Sequence, residues 1–106
     1  MKINMAEDFS RFPAGRFISD GEFSGEKFRK DFLVPNLKKD EVLEIDLTGL
    51  GGVGSSFWDE AFAGLILREN FTYEDLKNKL KFICTDDITL EPLIWQYIKD
   101  AKDMIR

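Results

Sequence analysis

Short apolar runs along the chain alternate with longer segments in which apolar residues recur at helical spacing. Residues 2–7 alternate apolar and polar side chains, with Ile3 and Met5 among polar neighbours, and they predict a first strand. Residues 41–47 and 79–85 are apolar runs bounded by turn-forming or polar residues, which is typical of buried strands. The sequence therefore predicts three strands, the best defined being the one over residues 41–47.

The segments between and after these strands have the periodicity of helices. One helix is expected to begin near Gly25 and to end or kink before Pro35, because proline disfavours helical geometry at the preceding residue. Residues 57–69 are apolar almost all round, so a heavily buried helix is expected there. A polar helix near residues 73–78 and an amphipathic one over 90–105 complete the pattern. Core positions in the buried helix are predicted at Phe62 and Leu65.

Strands that alternate with helices indicate an α/β fold. We expect a partly parallel sheet of three to four strands, packed by about three helices. The segment Phe9–Gly25 interrupts this pattern, because it mixes glycines and a proline with four phenylalanines and predicts a long loop or an irregular hairpin. That much aromatic surface must either pack on the body of the domain or form an interface.

Length and composition predict one domain over residues 1–106, since a second core would need more sequence than remains. No apolar run approaches the roughly 20 residues of a membrane span, and the first residues carry no apolar signal segment. We therefore expect a soluble, cytoplasmic protein that does not associate with membranes.

Composition also narrows the chemistry. The chain contains no histidine, which removes the usual nucleophile activation and most zinc sites. Its single cysteine, Cys84, lies in a predicted strand and is expected to be an inert core thiol. The net charge of −5 argues against a nucleic-acid partner. We expect no catalytic residues, no metal site and no cofactor.

A glycine-rich turn between the second strand and the buried helix is the one segment whose pattern points to binding chemistry. Its glycines are Gly49, Gly51, Gly52 and Gly54. The spacing of Gly49, Gly51 and Gly54 satisfies G-x-G-x-x-G, but the chain is too short for the usual dinucleotide-binding sheet, and the acidic residue expected about 20 residues further on is not at a strand end. The same run fits a P-loop, except that Ser55 stands where the lysine is needed.

The run Val42–Leu50, followed by Val53–Ser56 and a buried helix, resembles the central motif of STAS domains, including the anti-sigma-factor antagonists. The likeness is closer to the STAS-like family of unknown function and covers most of residues 2–105. Further recurring pieces are Arg16, Asp20-Gly21, Ser24-Gly25-Glu26, Phe28-Arg29, Gly54-Ser55-Ser56-Phe57 and Glu60-Ala61-Phe62. The resemblance implies a small STAS-like sheet and a bacterial signalling role.

In the antagonists, a serine at the start of this helix is phosphorylated by a partner kinase that is also the anti-sigma factor. The resemblance therefore implies Ser55 as a phosphoacceptor, although Gly54 stands where the antagonists carry an aspartate. It also implies a protein partner, either a histidine-kinase-like ATPase or another regulator. Phosphate at a helix N-terminus is favoured by the helix dipole and free N–H groups, so the physics permits such a switch.

Simpler roles remain open for the residues around Ser55. Ser56 and Asp59 have nearly the spacing of a capping box, so either serine is a candidate helix cap. Asp59 and Glu60 suit the first helical turn as partners of the helix dipole. Trp58 is a core candidate, and an alternative role for it is that of a partly exposed interface anchor.

The sequence thus favours a non-enzymatic regulatory module that acts by protein–protein interaction. The predicted surface comprises Gly49, Gly51, Gly52, Gly54, Ser55, Ser56, Trp58, Asp59 and Arg16. One alternative is a small-molecule or nucleotide-binding domain in which Arg16 or Arg29 completes an anion site at the glycine turn. Another alternative is an accessory subunit without a phosphorylation switch, which would use the segment Phe9–Gly25, called the aromatic loop here, as its interface.

Overall fold

The computed structural model describes residues 1–39 and 41–105. Its sheet has three strands, β1 (Lys2–Asn4), β2 (Leu43–Asp46) and β3 (Leu80–Ile83), in the order β1-β2-β3. All of them are parallel, with Ile45 of β2 opposite Ile3 of β1 on one side. The α/β class is confirmed, and the best-defined predicted strand is β2 at the centre of the sheet. The described strands are all parallel, whereas a partly parallel sheet was expected.

Besides a short 3₁₀ helix (Ile18–Asp20), the described residues form five α-helices, and two of these contain a π-helical turn in their middle. They are α1 (Met5–Asp8), α2 (Gly25–Phe28, Arg29–Leu33 and Val34–Leu37), α3 (Ser55–Trp58, Asp59–Ala63 and Gly64–Leu67), α4 (Tyr73–Lys79) and α5 (Leu90–Met104). In α2 and α3 the three segments follow one another without a break, and the middle segment is the π-helical turn. The long predicted helices are all present.

The prediction for the first strand is wrong beyond Asn4, because the chain turns into helix α1 there. The Asn4 side chain accepts a hydrogen bond of 3.2 Å from the backbone N–H of Glu7 and so caps the helix. Met5, expected to face the core from a strand, is fully buried from the first position of α1. Local side-chain capping therefore outweighs a weak alternating pattern.

Helix α2 was expected to end or kink before Pro35, and the expectation that it ends there is wrong. The π-helical turn Arg29–Leu33 precedes it, so Pro35 lies in the first turn of a new α-helical segment, where a missing N–H costs little. The Asn36 side chain then donates a hydrogen bond of 2.7 Å to the carbonyl of Phe32. The helix consequently continues to Leu37.

Helix α3 is the buried centre of the domain, as its composition predicts. Phe62 and Leu65 are both fully buried, which confirms the two predicted core positions. The aromatic loop lies partly on this body: the ring of Phe9 lies 5.0 Å from that of Phe28, whereas Phe12 is 73% exposed. Among the described residues, no helix is long and apolar enough to cross a lipid bilayer.

Candidate functional site

Ser55 is the first residue of helix α3, at the point where the glycine turn ends. Gly54 is the N-cap and has extended backbone angles (φ −72°, ψ 157°). Ser55 and Ser56 are both exposed, and within residues 1–39 and 41–105 neither hydroxyl makes a hydrogen bond. The predicted capping by a serine is wrong, because glycine occupies the cap and leaves both side chains one or two positions inside the helix. Both hydroxyls therefore face solvent.

Ser55 lines a groove between α3 and α5 that has a volume of about 270 Å³. Arg16 and Asp59 share its α3 side with Ser55, and Tyr97 and Asp100 of α5 form the opposite side. Asp59 follows Ser55 by four residues, so the two side chains lie on the same face of the helix. The structure thus brings together three of the predicted surface residues and adds α5, which sequence reasoning did not connect with them.

Arg16 reaches this groove from the aromatic loop and pairs with Asp59. Its Nη1 lies 2.7 Å from Asp59 Oδ2 and 3.6 Å from Glu60 Oε1. The hydrogen bond to Asp59 raises the pKa of the Arg16 guanidinium above its ordinary value. Two backbone hydrogen bonds of 3.0 Å hold the loop here, from Gly25 N–H to the Gly15 carbonyl and from the next amide of α2 to the Arg16 carbonyl. Asp59 is therefore an ion-pair partner of Arg16. The prediction that it lies in the first helical turn is wrong, because the first turn of α3 is Ser55–Trp58.

Trp58 does not belong to the exposed surface, and that part of the predicted surface is wrong. Its side chain has no solvent exposure, and its ring packs 5.3 Å from that of Phe57 and 6.0 Å from that of Phe62. The indole Nε1 has no hydrogen-bond partner among the described residues. Helical spacing does not separate the two residues, because positions three apart are neighbours on a helix surface. Trp58 is buried because its ring packs against those of Phe57 and Phe62, whereas Ser55 at the helix start is exposed.

Protein acceptors already occupy two of the backbone donors in the glycine turn. The N–H of Gly49 donates to Asp86 Oδ2 at 3.0 Å, and that of Gly51 donates to the carbonyl of Arg11 at 2.8 Å. Gly49 has φ +88°, a conformation that favours glycine. Gly52, by contrast, is exposed and has open space where a side chain would project. The first half of the turn is therefore held in place by Asp86 and by the backbone at Arg11, and these two N–H groups are not free to bind an anion.

A buried charge cluster joins α2 to α3 beneath the groove. Glu60 is 2% exposed, and its Oε2 lies 2.6 Å from both Arg29 Nη1 and Arg68 Nε. Arg29 is 1% exposed and also pairs with Glu69 at 2.9 Å. The alternative that assigned Arg29 to an anion site loses its support, because this guanidinium is buried among carboxylates. Glu60, expected to be a dipole partner, serves this cluster.

Two opposing effects act on the Glu60 carboxyl. Burial alone raises its pKa, but hydrogen bonds from Arg68 and Arg29 outweigh burial and hold the pKa below the ordinary value. The carboxylate is therefore ionised at neutral pH. No local spacing reveals this cluster in the sequence, because Arg29 and Glu60 are 31 residues apart. The one available signal is that both lie in recurring pieces of the family resemblance.

Small residues allow the two helices of the cluster to approach closely. A Cβ atom on Gly25 would lie 2.5 Å from the carbonyl oxygen of Phe57, and one on Gly64 would collide with the guanidinium of Arg29. Side chains at either position would push the helices apart. The glycines therefore explain how Arg29 and Glu60 can pair at so short a distance.

The model of a STAS-like domain of unknown function matches residues 24–89. The chain belongs to this STAS-like family. The matched segment of this STAS-like domain contains α2, β2, the glycine turn, α3 and β3, with Arg29, Ser55 and Glu60 among its residues. Arg16 and the α5 side of the groove lie outside it. Neither the curated proteins nor the solved structures that were compared with the chain include a match.

Proposed function

We propose that this STAS-like domain is a non-enzymatic regulatory module that binds another protein, and that phosphorylation of Ser55 switches this binding. The observation that carries the proposal is the position of Ser55. Its hydroxyl is exposed, makes no hydrogen bond within the described residues, and lies in a groove at the start of the helix that forms the centre of the core. A change at this position reaches a docking surface without disturbing the packing.

A phosphate on Ser55 alters this surface through charge and size. It adds about two negative charges at neutral pH. Asp59 and Asp100 already line the groove, and Arg16 is paired with Asp59. A phosphate beside carboxylates and under the apolar side chains of a partner destabilises the complex by repulsion and by loss of hydration. Unmodified Ser55 therefore favours binding, and phosphorylated Ser55 releases the partner.

The partner that fits this scheme is a regulator that both binds and phosphorylates the chain, such as a histidine-kinase-like ATPase. Such a kinase uses ATP, and we therefore place the protein in the cytoplasm. The lack of histidine in the sequence supports a role in binding rather than turnover. The side chains of the groove that carry charge are engaged in an ion pair or exposed to water.

Affinity purification with four baits tests the proposal. Wild type, Ser55→Ala, Ser55→Asp and Ser56→Asp are used in parallel on lysate of the source cells, and the retained proteins are quantified by mass spectrometry. We expect a specific partner that wild type, Ser55→Ala and Ser56→Asp retain and that Ser55→Asp loses by about tenfold or more. Ser56→Asp is the matched control because it adds the same charge one residue away, also at an exposed position.

Equal retention of the partner by all four baits would overturn the switch and leave an interaction module without it. Loss of the partner from Ser56→Asp as well as Ser55→Asp would show a general effect of charge rather than a site at Ser55. The absence of any specific partner on the wild-type bait would overturn the interaction role itself.

A further inference from the structure

The groove at Ser55 is one part of a longer depression along helix α5. Two further hollows follow it, of about 230 Å³ and about 440 Å³. The Ser55 groove shares Tyr97 and Asp100 with the first of them, and the first shares Leu93 with the second. The second reaches the glycine turn at Gly52. We call the three hollows together the α5 groove.

An apolar stripe on α5 forms the floor of the α5 groove. Leu90, Leu93, Tyr97 and Met104 recur at helical spacing and all line it. This stripe borders the one that α5 packs into the core, which consists of Ile94, Ile98 and Ala101. Leu90 and Tyr97 are partly buried against the core, and Ala101 also lines the groove. Leu93 is 41% exposed and Met104 is 72% exposed. The apolar face of the helix therefore extends beyond the core, and the described part of the chain leaves its outer edge at Leu93 and Met104 open to solvent.

The charges that line the α5 groove are almost all negative. Its carboxylates are Asp59, Asp86, Asp87 and Asp100. Among the described residues that line it, the only cation is Arg16, which is paired with Asp59. The molecule as a whole has a net charge of −5. An apolar surface with an acidic border is complementary to an apolar segment with basic flanks.

We propose that the α5 groove binds a short amphipathic helix of the partner that carries lysine or arginine beside its apolar face. The inference rests on the proposed function and names the chemistry of its partner. From Leu90 to Met104 the stripe extends about 21 Å, at 1.5 Å per residue, which matches a partner helix of about four turns. Apolar residues at helical spacing fill the groove, and the basic residues meet Asp87 and Asp100 at its border.

The same charges argue against other occupants. A second copy of this chain would bring another net charge of −5 to an acidic border, and an anionic lipid surface would be repelled by it. Position Ser55 lies within the groove, where the apolar side chains of the helix would pack. A phosphate on Ser55 would therefore displace the apolar side chains of the partner helix, although the acidic border would still attract its basic residues.

A display library of helix-forming peptides of about 15 residues tests the inference. The wild-type chain is the target for selection, and Leu93→Asp and Ile88→Asp are the two variants for comparison. Ile88 is the matched control, because it is 85% exposed and lines none of the three hollows. Selected peptides are then synthesised, and their affinities are measured by fluorescence anisotropy at two salt concentrations.

We expect the selected sequences to carry apolar residues at helical spacing together with lysine or arginine. Their affinity falls about tenfold or more for Leu93→Asp and stays unchanged for Ile88→Asp. Exchange of their basic residues for glutamate, or an increase in salt, weakens binding as well. A circular dichroism spectrum equal to that of wild type shows that Leu93→Asp is folded.

Selection of neutral or acidic peptides, selection of none, or equal binding to Leu93→Asp would overturn the inference. So would a sedimentation experiment in which the α5 groove is covered by a second copy and Leu93→Asp restores the monomer. This test uses no modification of Ser55. If the peptide selection fails and the affinity purification with Ser55 variants succeeds, the interface lies elsewhere on the molecule. If the peptide selection succeeds and the affinity purification shows no effect of Ser55, the groove binds a helix but is not switched by phosphorylation.

Discussion

Glu60 and Ser55 lie on the same helix but have different roles, because Glu60 is buried in the core and Ser55 is exposed at the surface. Glu60 lies in the π-helical turn in the middle of the helix that begins with Ser55, and its carboxylate is directed into a buried cluster with Arg29 and Arg68. Ser55, five residues before it, is exposed. One helix therefore supplies an ion pair to the core and a free hydroxyl to the surface, and the roles of neighbouring residues follow from the faces on which they lie.

The substitution Glu60→Gln tests the structural role. It leaves the buried Arg29 without its nearest carboxylate, so we expect the free energy of unfolding at pH 7 to fall by about 3 kcal/mol. Urea denaturation measures the change. The control is Glu22→Gln, which removes a carboxylate at an exposed position and leaves the stability within about 0.5 kcal/mol of wild type.

The pH dependence of the free energy of unfolding, compared between wild type and Glu60→Gln, gives an independent check of the role of Glu60. The folded-state pKa of Glu60 lies below its ordinary value, so the folded state favours the ionised carboxylate. This contribution is present at neutral pH and is lost as the pH falls through the acidic range of the folded-state pKa. Wild type and Glu60→Gln should therefore converge in stability as the pH is lowered. A constant difference between them from neutral to acidic pH would contradict this role.

The family resemblance marked Ser55 as a candidate at a helix start, and the structure places it there. The interpretation of Trp58 as a core residue is confirmed, and the alternative of an exposed interface anchor is wrong. Ser55 follows a glycine turn, which is a local signal. Trp58 lies three positions later, and its burial depends on the ring of Phe62 and on the body of the domain. Local sequence marks where a helix begins, whereas the face that a side chain occupies depends on tertiary packing.

At the scale of elements, the crossing of α2 and α3 holds the site in place. The two helices approach at Gly25 and Gly64, and the ion pair between Arg29 and Glu60 forms between them. The loop that carries Arg16 is bonded to the first turn of α2. The position of Arg16 beside Ser55 therefore depends on this crossing.

Substitution of Gly25 by alanine tests this dependence. The new methyl group would meet the carbonyl oxygen of Phe57 at 2.5 Å, so the helices must separate. We expect a loss of about 1–3 kcal/mol in the free energy of unfolding, measured by urea denaturation. The matched change Gly52→Ala has open space and should not lower the stability. Equal stability of the two variants would show that the crossing tolerates a side chain.

The strands and long helices were predictable because their signals are local. Short apolar runs marked β2 and β3, and helical spacing marked α3 and α5. The passage of α2 through Pro35 was not predictable, because it depends on a π-helical turn that no spacing rule indicates. A π-helical turn changes which side chains lie on the same face of the helix. This is a further reason why the exposed positions were harder to predict than the helices and strands themselves.

At the scale of the whole molecule, the alternation of strands and helices was enough to predict an α/β fold with parallel strands. The α5 groove was not predictable, since its parts come from Arg16, Ser55 and Tyr97, which are far apart in the sequence. The docking role that we propose for it depends on their placement by the packed helices. The family resemblance supplied the candidate serine, and the structure adds the acidic, apolar surroundings in which a phosphate on that serine would act.

The phosphorylation state of Ser55 in free and bound chains from the source cells tests the central claim most directly. Native lysate is separated by size-exclusion chromatography, and the fraction of Ser55 that carries phosphate is measured by mass spectrometry where the chain elutes alone and where it elutes in a larger complex. We expect phosphate on Ser55 to be concentrated in the free chain and nearly absent from the complex. Unmodified Ser55 in both fractions, or equal phosphorylation of the two, would contradict the proposed switch.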